Sequence, residues 1–300
     1  MKPKRQITKL DGDKMVNLYT QEKWPLVRLG KEFVISPKII RNYLIDCGIE
    51  IRGKSAAQQH YVDEQFFEKI DTEAKAYFLG LLYADGCVLD KRKHQKVVAI
   101  SLQLRDCDIL EEMRKHLKVE NTLKLRIPKI KHRSHMKMLH FSSTKIANDL
   151  IKLGCHPRKC HTLKFPTSNQ VPQHLIHHFI RGIFDGDGCI YSTAMSRKTS
   201  PIIRQEYSFG IVGTEDICNG IMDLFSQEIG LNSRKLSKKS NSFMLPYCGN
   251  KQCRAIADYL YKDATIFLSR KREKFNDLIQ QSIELEQNPC HGNKYSTRPI

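Results

Sequence analysis

The sequence predicts an α+β chain in which two pseudo-symmetric αββαββα halves follow a small all-α helix-turn-helix domain. The first observation is a near repeat, in which FLGLLYADGCV (78–88) and FIRGIFDGDGCI (179–190) share a Gly, an Asp-Gly pair and a Cys in register. The second is that the same order of helical and alternating apolar patterns follows each copy. We therefore predict a helix-turn-helix domain at 1–54, a linker at 55–71, two halves at 72–165 and 166–285, and a tail at 286–300.

The charge of the chain indicates a polyanionic partner. Its 50 Lys and Arg against 32 Asp and Glu give a net charge of +18 and a pI near 9.5. Such an excess points most often to nucleic acid, with a generally basic soluble protein as the alternative. No segment approaches the roughly 18 apolar residues that a membrane-spanning helix needs, and MKPKRQITKL lacks the apolar core of a secretory signal. We expect a protein that is not secreted, contacts no membrane and lies inside the cell with the genome, in cytoplasm or nucleoid, an organelle or a phage-infected host.

The first fifty residues predict three helices. In VISPKIIRNYLIDCGI, Ser36 suits an N-cap, Pro37 a first helical residue and Gly48 a left-handed ending. The stripe expected to face inward is Ile39, Ile40, Tyr43 and Leu44. The outer face would carry side chains that suit phosphate oxygens and base edges: Lys38, Arg41 and Asn42. DNA contact is favoured because this segment (1–54) has 12 basic and 6 acidic residues; the alternative is a three-helix bundle with a solvated face.

The repeated unit begins with a helix that Thr72 can cap and that runs through Ala84. Strands are expected at 97–104, 122–127 and 137–143, with helices at 108–117 and 144–153. In the second copy, a helix runs from near Val171 to Gly186, Thr214 caps an amphipathic helix, and a helix at 253–262 closes the unit. The piece between the copies reads as a basic, Pro-bearing linker.

Gly80 and Gly182 occupy mid-helix positions, where Gly costs about 1 kcal/mol relative to Ala. Close approach of a second backbone offsets that loss, so the two helices should touch and bring Asp85 and Asp187 together. Carboxylates at helix C-termini are electrostatically disfavoured, and two together repel. A divalent cation removes both penalties and can assist phosphodiester cleavage. The alternative, that both are turn residues in Asp-Gly dipeptides, does not explain the register of the two copies.

FLGLLYADG and IRGIFDGDG resemble the two motifs of a monomeric LAGLIDADG homing endonuclease, and the resemblance covers residues 72–285. It implies two halves that present saddle-shaped sheets to the DNA major groove and cut both strands of a long target. It also implies that Asp85 and Asp187 are the catalytic pair and bind Mg²⁺ or another divalent cation such as Mn²⁺. The carbonyls of Ala84 and Gly186 are the further metal ligands that it suggests.

Three departures from the motif bear on activity. Tyr83 stands where the second copy has Asp185, and activity should survive because the metal ligand is the later acid. Arg181 replaces a small residue and is expected to turn to solvent or DNA. The family also uses a basic or amide residue on the strands near each metal. Gln103 and Lys137 are the candidates in the first half, whereas the second offers only Lys235 and Lys238, which leaves open whether both strands are cut equally.

Basic side chains on the predicted strands and their loops form the expected DNA surface, with a solvated edge as the alternative. They are Lys124, Arg126, Lys129, Lys131, Arg133, Arg234, Lys235, Lys238 and Lys239. The resulting hypothesis is a monomeric, site-specific, metal-dependent double-strand DNA endonuclease. The alternatives are a non-cleaving DNA-binding regulator and an intron RNA maturase on the same fold. A free-standing or intron-encoded protein is expected rather than an intein, because no Cys or Ser start pairs with a His-Asn end.

Overall fold

The computed structural model of the chain describes residues 7–22, 24–51, 62–92, 95–120, 122–128, 134–197 and 200–287. Three helices come first: α1 (Lys9–Thr20), α2 (Leu26–Glu32) and α3 (Pro37–Asp46). They enclose a small core of their own around Met15, Leu29, Ile40 and Leu44. Ile39 was expected in the inner stripe but is 40% exposed, because Ile40 and Leu44, four residues apart, already define the buried face of α3.

Each half contains the predicted αββαββα order. The first half has α4 (Glu73–Asp85), β1 (Gly86–Arg92), β2 (Gln95–Gln103), α5 (Cys107–His116), β3 (Lys124–Arg126), β4 (Met136–Ser142) and α6 (Thr144–Lys152). The second has α7 (Ile176–Asp187), β5 (Gly188–Arg197), β6 (Ser200–Gly213), α8 (Glu215–Ile229), β7 (Ser237–Lys239), β8 (Ser242–Cys248) and α9 (Asn250–Leu260). Their antiparallel sheets have the orders β1-β2-β4-β3 and β5-β6-β8-β7, so the two halves share one topology and the predicted α+β fold is confirmed.

Side-chain caps begin two helices at the predicted places, whereas the Ser36 side chain makes no capping hydrogen bond although Ser36 is the N-cap residue of α3. The Thr72 hydroxyl accepts from the Lys75 amide at 3.4 Å, and that of Thr214 accepts from the Ile217 amide at 3.2 Å. Gly230 ends α8 at φ +65°, where a residue with a Cβ would be strained. The helix expected from Val171 begins instead at Ile176, after a 3₁₀ turn.

Two segments differ from the expected outline. Val62, Phe66, Phe67 and Ile70, placed in the linker by the sequence, belong to the main core, because their apolar side chains cover the first half. A further helix, α10 (Ser269–Gln287), follows the helix that was expected to close the second half. Its first turn enters the candidate site, so this addition bears directly on function.

The first helices of the two halves, α4 and α7, pack against each other through their glycines. A Cβ on Gly80 would overlap the Phe179 carbonyl, and one on Gly182 would overlap the Tyr77 carbonyl. The close backbone approach expected from the sequence is therefore confirmed, and one continuous core runs through both halves. In the ranges that the structure describes, no helix is long and apolar enough to cross a membrane.

Candidate active site

Two aspartates end the paired helices. Asp85 is the last residue of α4 and Asp187 the last of α7, and after each a glycine turns the chain into an extended strand. A Cβ built on Gly186 would lie 2.9 Å from Asp85 Oδ2 and would overlap the Ala84 side chain. The missing side chain at Gly186 thus lets the end of one helix lie against the end of the other.

The surroundings of the two carboxylates disfavour their charge. Burial, followed by the neighbouring Asp187 charge, raises the pKa of Asp85 to about 6, against the lowering effect of Lys271 and Lys159. Burial also raises the pKa of Asp187, and the same two lysines oppose it. Both side chains nevertheless keep solvent-exposed surface, so they remain open to a ligand. A bound cation would favour the charged form of both acids.

A buried lysine lies beneath the end of each motif helix. Lys159 is 4% exposed, and its Nζ donates to the carbonyls of Tyr83 at 2.5 Å and Ala84 at 3.3 Å. Lys271 is 3% exposed and donates to the carbonyls of Asp185 at 2.9 Å and Gly188 at 2.7 Å. These ammonium groups satisfy carbonyls that a helix C-terminus leaves unpaired and offset its negative end.

Lys271 also donates to the Phe184 carbonyl. Burial lowers the pKa of the Lys271 ammonium to about 8, against the raising effect of Asp185. Tyr83 and Asp185 occupy the same motif position, so the two lysines lie at equivalent places in the two halves.

The donor set fits a hard divalent cation. Two carboxylates and the carbonyls of Ala84 and Gly186 are oxygen ligands of the kind that Mg²⁺ and Mn²⁺ prefer. No cluster of three or more His, Cys, Asp or Glu in the described ranges could hold a metal ion by itself. Main-chain oxygens, water and a bound phosphate would therefore complete the coordination.

Neither lysine was found from the sequence, although a signal was present. Lys159 lies in the piece read as a linker, and Lys271 in the helix that was not predicted. Arg158-Lys159 and Arg270-Lys271 repeat a dipeptide after the last helix of the αββαββα unit in each half, and a Lys-Phe pair follows both, at 164–165 and 274–275. A search for repeats beyond the predicted αββαββα units would have paired them.

The strand candidates lie apart from each other. Gln103 is exposed and shares a sheet face with Ala99, which pairs with Cys87 next to the motif. Lys137 pairs with Leu102, whose side chain belongs to the core, so period-2 alternation places Lys137 on the opposite face from Gln103. The structure thus brings Lys159 and Lys271 to the aspartates, and it does not bring Gln103 and Lys137 together.

Two of the motif departures have structural roles. The Tyr83 hydroxyl donates to the Leu153 carbonyl at 2.6 Å, and Asp185 Oδ2 accepts from the Tyr77 hydroxyl at 2.7 Å and the Leu268 amide at 2.8 Å. The expectation that Arg181 turns to solvent or DNA is wrong, because its side chain is fully buried. An ion pair and main-chain carbonyls hold its guanidinium in the core.

The predicted DNA-contacting residues are mostly exposed. Those with exposed side chains are Lys38, Arg41, Asn42, Lys124, Arg126, Lys235, Lys238 and Lys239. Arg234 is half-buried, donates to Gln252 Oε1 at 2.9 Å and lies over the Tyr247 ring. Lys129, Lys131 and Arg133 lie outside the described residues.

Comparisons with known proteins bear on sequence and on fold. No protein-family model matches the chain. A probable translation initiation factor IF-2 of Methanocaldococcus jannaschii is 25% identical over 245 residues, which are 78% of this chain and 18% of that protein. The chain therefore spans about a fifth of the length of the curated relative that it matches.

Solved structures resemble the chain over most of its length. The meganuclease I-SmaMI, bound to uncleavable DNA, has a TM-score of 0.50 and 10% identity over 70% of this chain and 90% of its own. The LAGLIDADG homing endonuclease I-GzeII, in complex with its DNA target, has a TM-score of 0.48 and 13% identity, covering 77% and 100%. With its two αββαββα halves joined along glycine-bearing helices, the chain has the fold of the LAGLIDADG homing endonucleases.

Proposed function

We propose that this protein is a site-specific, metal-dependent endonuclease that hydrolyses phosphodiester bonds in both strands of a long, near-asymmetric DNA target. The observation that carries the proposal is the pair Asp85 and Asp187 at the touching ends of α4 and α7. Each lies beside a buried lysine, and the internal repeat supplies one such set for each strand. The likeness of the fold to a DNA-bound meganuclease supports DNA as the substrate.

In this proposal the carboxylates of Asp85 and Asp187, with the carbonyls of Ala84 and Gly186, hold the metal. Bound Mg²⁺ or Mn²⁺ would supply an acidified water and offset charge on the leaving oxygen. Lys159 and Lys271 fix the two helix ends through their carbonyl hydrogen bonds and place a positive charge close to the scissile phosphates. A preorganised cation of this kind costs no rearrangement when charge develops in the transition state.

The exposed basic side chains extend the proposed DNA surface beyond the cutting site. Lys124 and Arg126 line the edge strand of the first sheet, and Lys239 lies at the corresponding edge of the second. Helix α3, with Arg41 on its exposed face, would act as the recognition helix of a helix-turn-helix and lengthen the contacted site. Because one chain carries both motifs, we propose that it acts as a monomer, inside the cell where the genome lies.

Cleavage of a DNA target library, with Mg²⁺ or with EDTA, tests this function. With Mg²⁺ the wild-type protein should cut both strands at one site, and with EDTA it should not cut. Asp85→Asn and Asp187→Asn should each abolish the cuts. Asp223→Asn, the same change at an exposed position on α8, is the control and should cut normally. Tight, salt-sensitive binding to a site that is never cut would contradict the proposal and leave a DNA-binding protein on a nuclease fold.

A further inference from the structure

The segment that carries Lys271 leaves its own half and contacts the other. Arg270, the residue before Lys271, makes a two-pronged ion pair with Asp106 of the first half. Its Nε lies 2.7 Å from Asp106 Oδ1 and its Nη2 lies 2.9 Å from Oδ2. Asp106 is 6% exposed, so the pair is shielded from water on the carboxylate side. Paired hydrogen bonds of this kind fix orientation as well as distance.

The segment that carries Lys159 makes the reverse crossing. Beyond Lys159, the Leu163 carbonyl accepts from the Thr214 hydroxyl of the second half at 2.7 Å. The Phe165 amide donates to Asp216 Oδ1, also of the second half, at 2.6 Å. The chain between the two halves is therefore anchored at the start of α8 soon after it has delivered its lysine.

The two anchoring points are equivalent positions in the repeat. Asp106 is the N-cap residue of α5, and Thr214 is the N-cap residue of α8. Each helix follows the second strand of its half. The residue types differ, carboxylate with guanidinium in one case and hydroxyl with carbonyl in the other. Although the interacting groups differ, each half uses the N-cap position of this helix to contact the segment that carries the lysine of the other half. This contact is what the two halves share.

We propose that Asp106 with Arg270 positions Lys271, and that Thr214 with Asp216 positions Lys159, so that each lysine is held in place by the opposite half. Lys271 bonds to carbonyls at the end of the second motif helix and is held by the first half. Lys159 bonds to carbonyls at the end of the first motif helix and is held by the second half. The inference rests on the proposed function for its consequence in cleavage. Neither half-site is complete unless the two halves are docked.

The first test needs neither DNA nor metal. The full chain is treated with an amine-acetylating ester, and modification at each lysine is followed by mass spectrometry. In the wild type, Lys159 and Lys271 should react slowly because both are buried. Asp106→Asn should raise the reactivity of Lys271 by about tenfold, the scale of one charge-assisted hydrogen bond, and leave Lys159 unchanged. Asp216→Ala, which removes the acceptor of the Phe165 amide, should do the reverse.

Arg270→Gln is a second variant for the Asp106–Arg270 pair. It breaks the same ion pair by changing the more exposed of the two side chains. It should reproduce the selective rise at Lys271. The Asp106 side chain makes no capping hydrogen bond to α5, so a local loss of helix start does not explain the expected result. Unchanged reactivity at both lysines, or an equal rise at both in every folded variant, would overturn the inference.

The second test resolves the two strands of the cleaved target with a different label on each. Asp106→Asn should slow the cutting of one strand by about tenfold and Asp216→Ala the cutting of the other, so that the variants accumulate opposite nicks. Equal slowing of both strands by either variant would overturn the inference. If the wild type cuts no target, the proposed function is wrong. The lysine labelling alone then decides whether the opposite half holds each lysine in place.

Discussion

Glu73 of the first half and Arg181 of the second form an ion pair across the junction, with 2.6 Å between the carboxylate Oε1 and the guanidinium Nη2. Arg181 is fully buried and also donates to the carbonyls of Leu260 and Ile266. Glu73 in turn accepts from the Ile266 amide at 2.9 Å. The pair therefore ties the start of α4 to the loop that leads into α10.

Glu73→Gln should lower the free energy of unfolding by about 3–5 kcal/mol, because it leaves the buried Arg181 charge without its partner. Chemical denaturation followed by circular dichroism measures the loss. The matched control is Glu112→Gln, which breaks the exposed pair with Lys115 and should cost at most about 0.5 kcal/mol. Similar losses in the two variants would contradict a structural role for the buried pair.

The junction glycines make the second prediction. Ala would gain about 1 kcal/mol in helix propensity at Gly80 or Gly182, yet its Cβ would overlap a backbone carbonyl of the facing helix. We expect Gly80→Ala and Gly182→Ala to destabilise the protein by about 1–3 kcal/mol net and to slow the cutting of both strands together. Denaturation and strand-resolved cleavage measure the two effects.

Gly12→Ala on α1 is the control for these variants, since its Cβ would overlap the hydroxyl and the adjoining ring edge of the half-buried Tyr43 side chain, which can move more easily than a backbone. If Gly80→Ala lowers the free energy of unfolding no more than Gly12→Ala does, the facing backbone moves aside easily and the prediction is wrong.

The buried lysines make the third prediction. Lys159→Met and Lys271→Met keep most of the side-chain volume and remove the charge. Each should slow the cutting of one strand by about 10²-fold or more, the typical cost of removing one preorganised donor. The control is Lys152→Met, because the Lys152 side chain is 79% exposed. Unchanged cleavage in both buried-lysine variants would remove these residues from the mechanism.

The sequence predicted the parts of the fold that local rules determine. Thr72 and Thr214 cap helices because a hydroxyl can reach the amide three residues on, and this requires no knowledge of distant contacts. The sequence also placed Asp85 and Asp187 close together. The repeated motif and its mid-helix glycines are best explained by two helices in close contact, and each aspartate lies at the end of one of them. Both inferences depended on short-range chemistry or on internal comparison.

Long-range contacts account for what the sequence did not reveal. Lys159 and Lys271 bond to carbonyls more than 70 residues away, and nothing near them in the chain marks them as buried. Arg181 looked exposed because an isolated charge in a helix usually is. Its partners, Glu73 and the 260–266 segment, lie in other parts of the chain. Their contribution depends on the docking of the two halves, which no local pattern encodes.

The N-terminal helices make the fourth prediction. Arg41→Ala and Lys38→Ala, both at exposed positions on α3, should weaken DNA binding and reduce the slope of log K against log salt by about 1 for each lost phosphate contact. The cutting rate at saturating protein should stay unchanged, because α3 is a separate unit with its own core. Lys115→Ala, exposed on α5, is the control, and an equal loss of affinity there would argue against a specific role for α3.

His178 makes the last prediction, on the dependence of stability on pH. His178 is 5% exposed, and its Nδ1 lies 2.7 Å from Arg181 Nη1. Burial, then the Arg181 charge and His177, lower the pKa of His178 to about 4, against the opposing charge of Glu73. In the unfolded chain the imidazole titrates near 6.5. Between these values the unfolded state binds the extra proton, so the free energy of unfolding must fall as the pH falls from 7 towards 4.

At pH 5 this loss should be on the order of 2 kcal/mol for His178 alone. His178→Asn places an amide oxygen close to the position of Nδ1, keeps an acceptor for Arg181 and removes the titration. Urea unfolding of both proteins at pH 7.5 and pH 5 measures the difference, and the wild type should lose about 2 kcal/mol more than the variant. His177 remains in both proteins, so its own lowered pKa cancels in the comparison. If both proteins lose the same free energy of unfolding between pH 7.5 and pH 5, His178 accepts a proton in the folded state at little cost. The contact of His178 with the buried Arg181 guanidinium opposes such protonation, so this outcome would contradict the prediction.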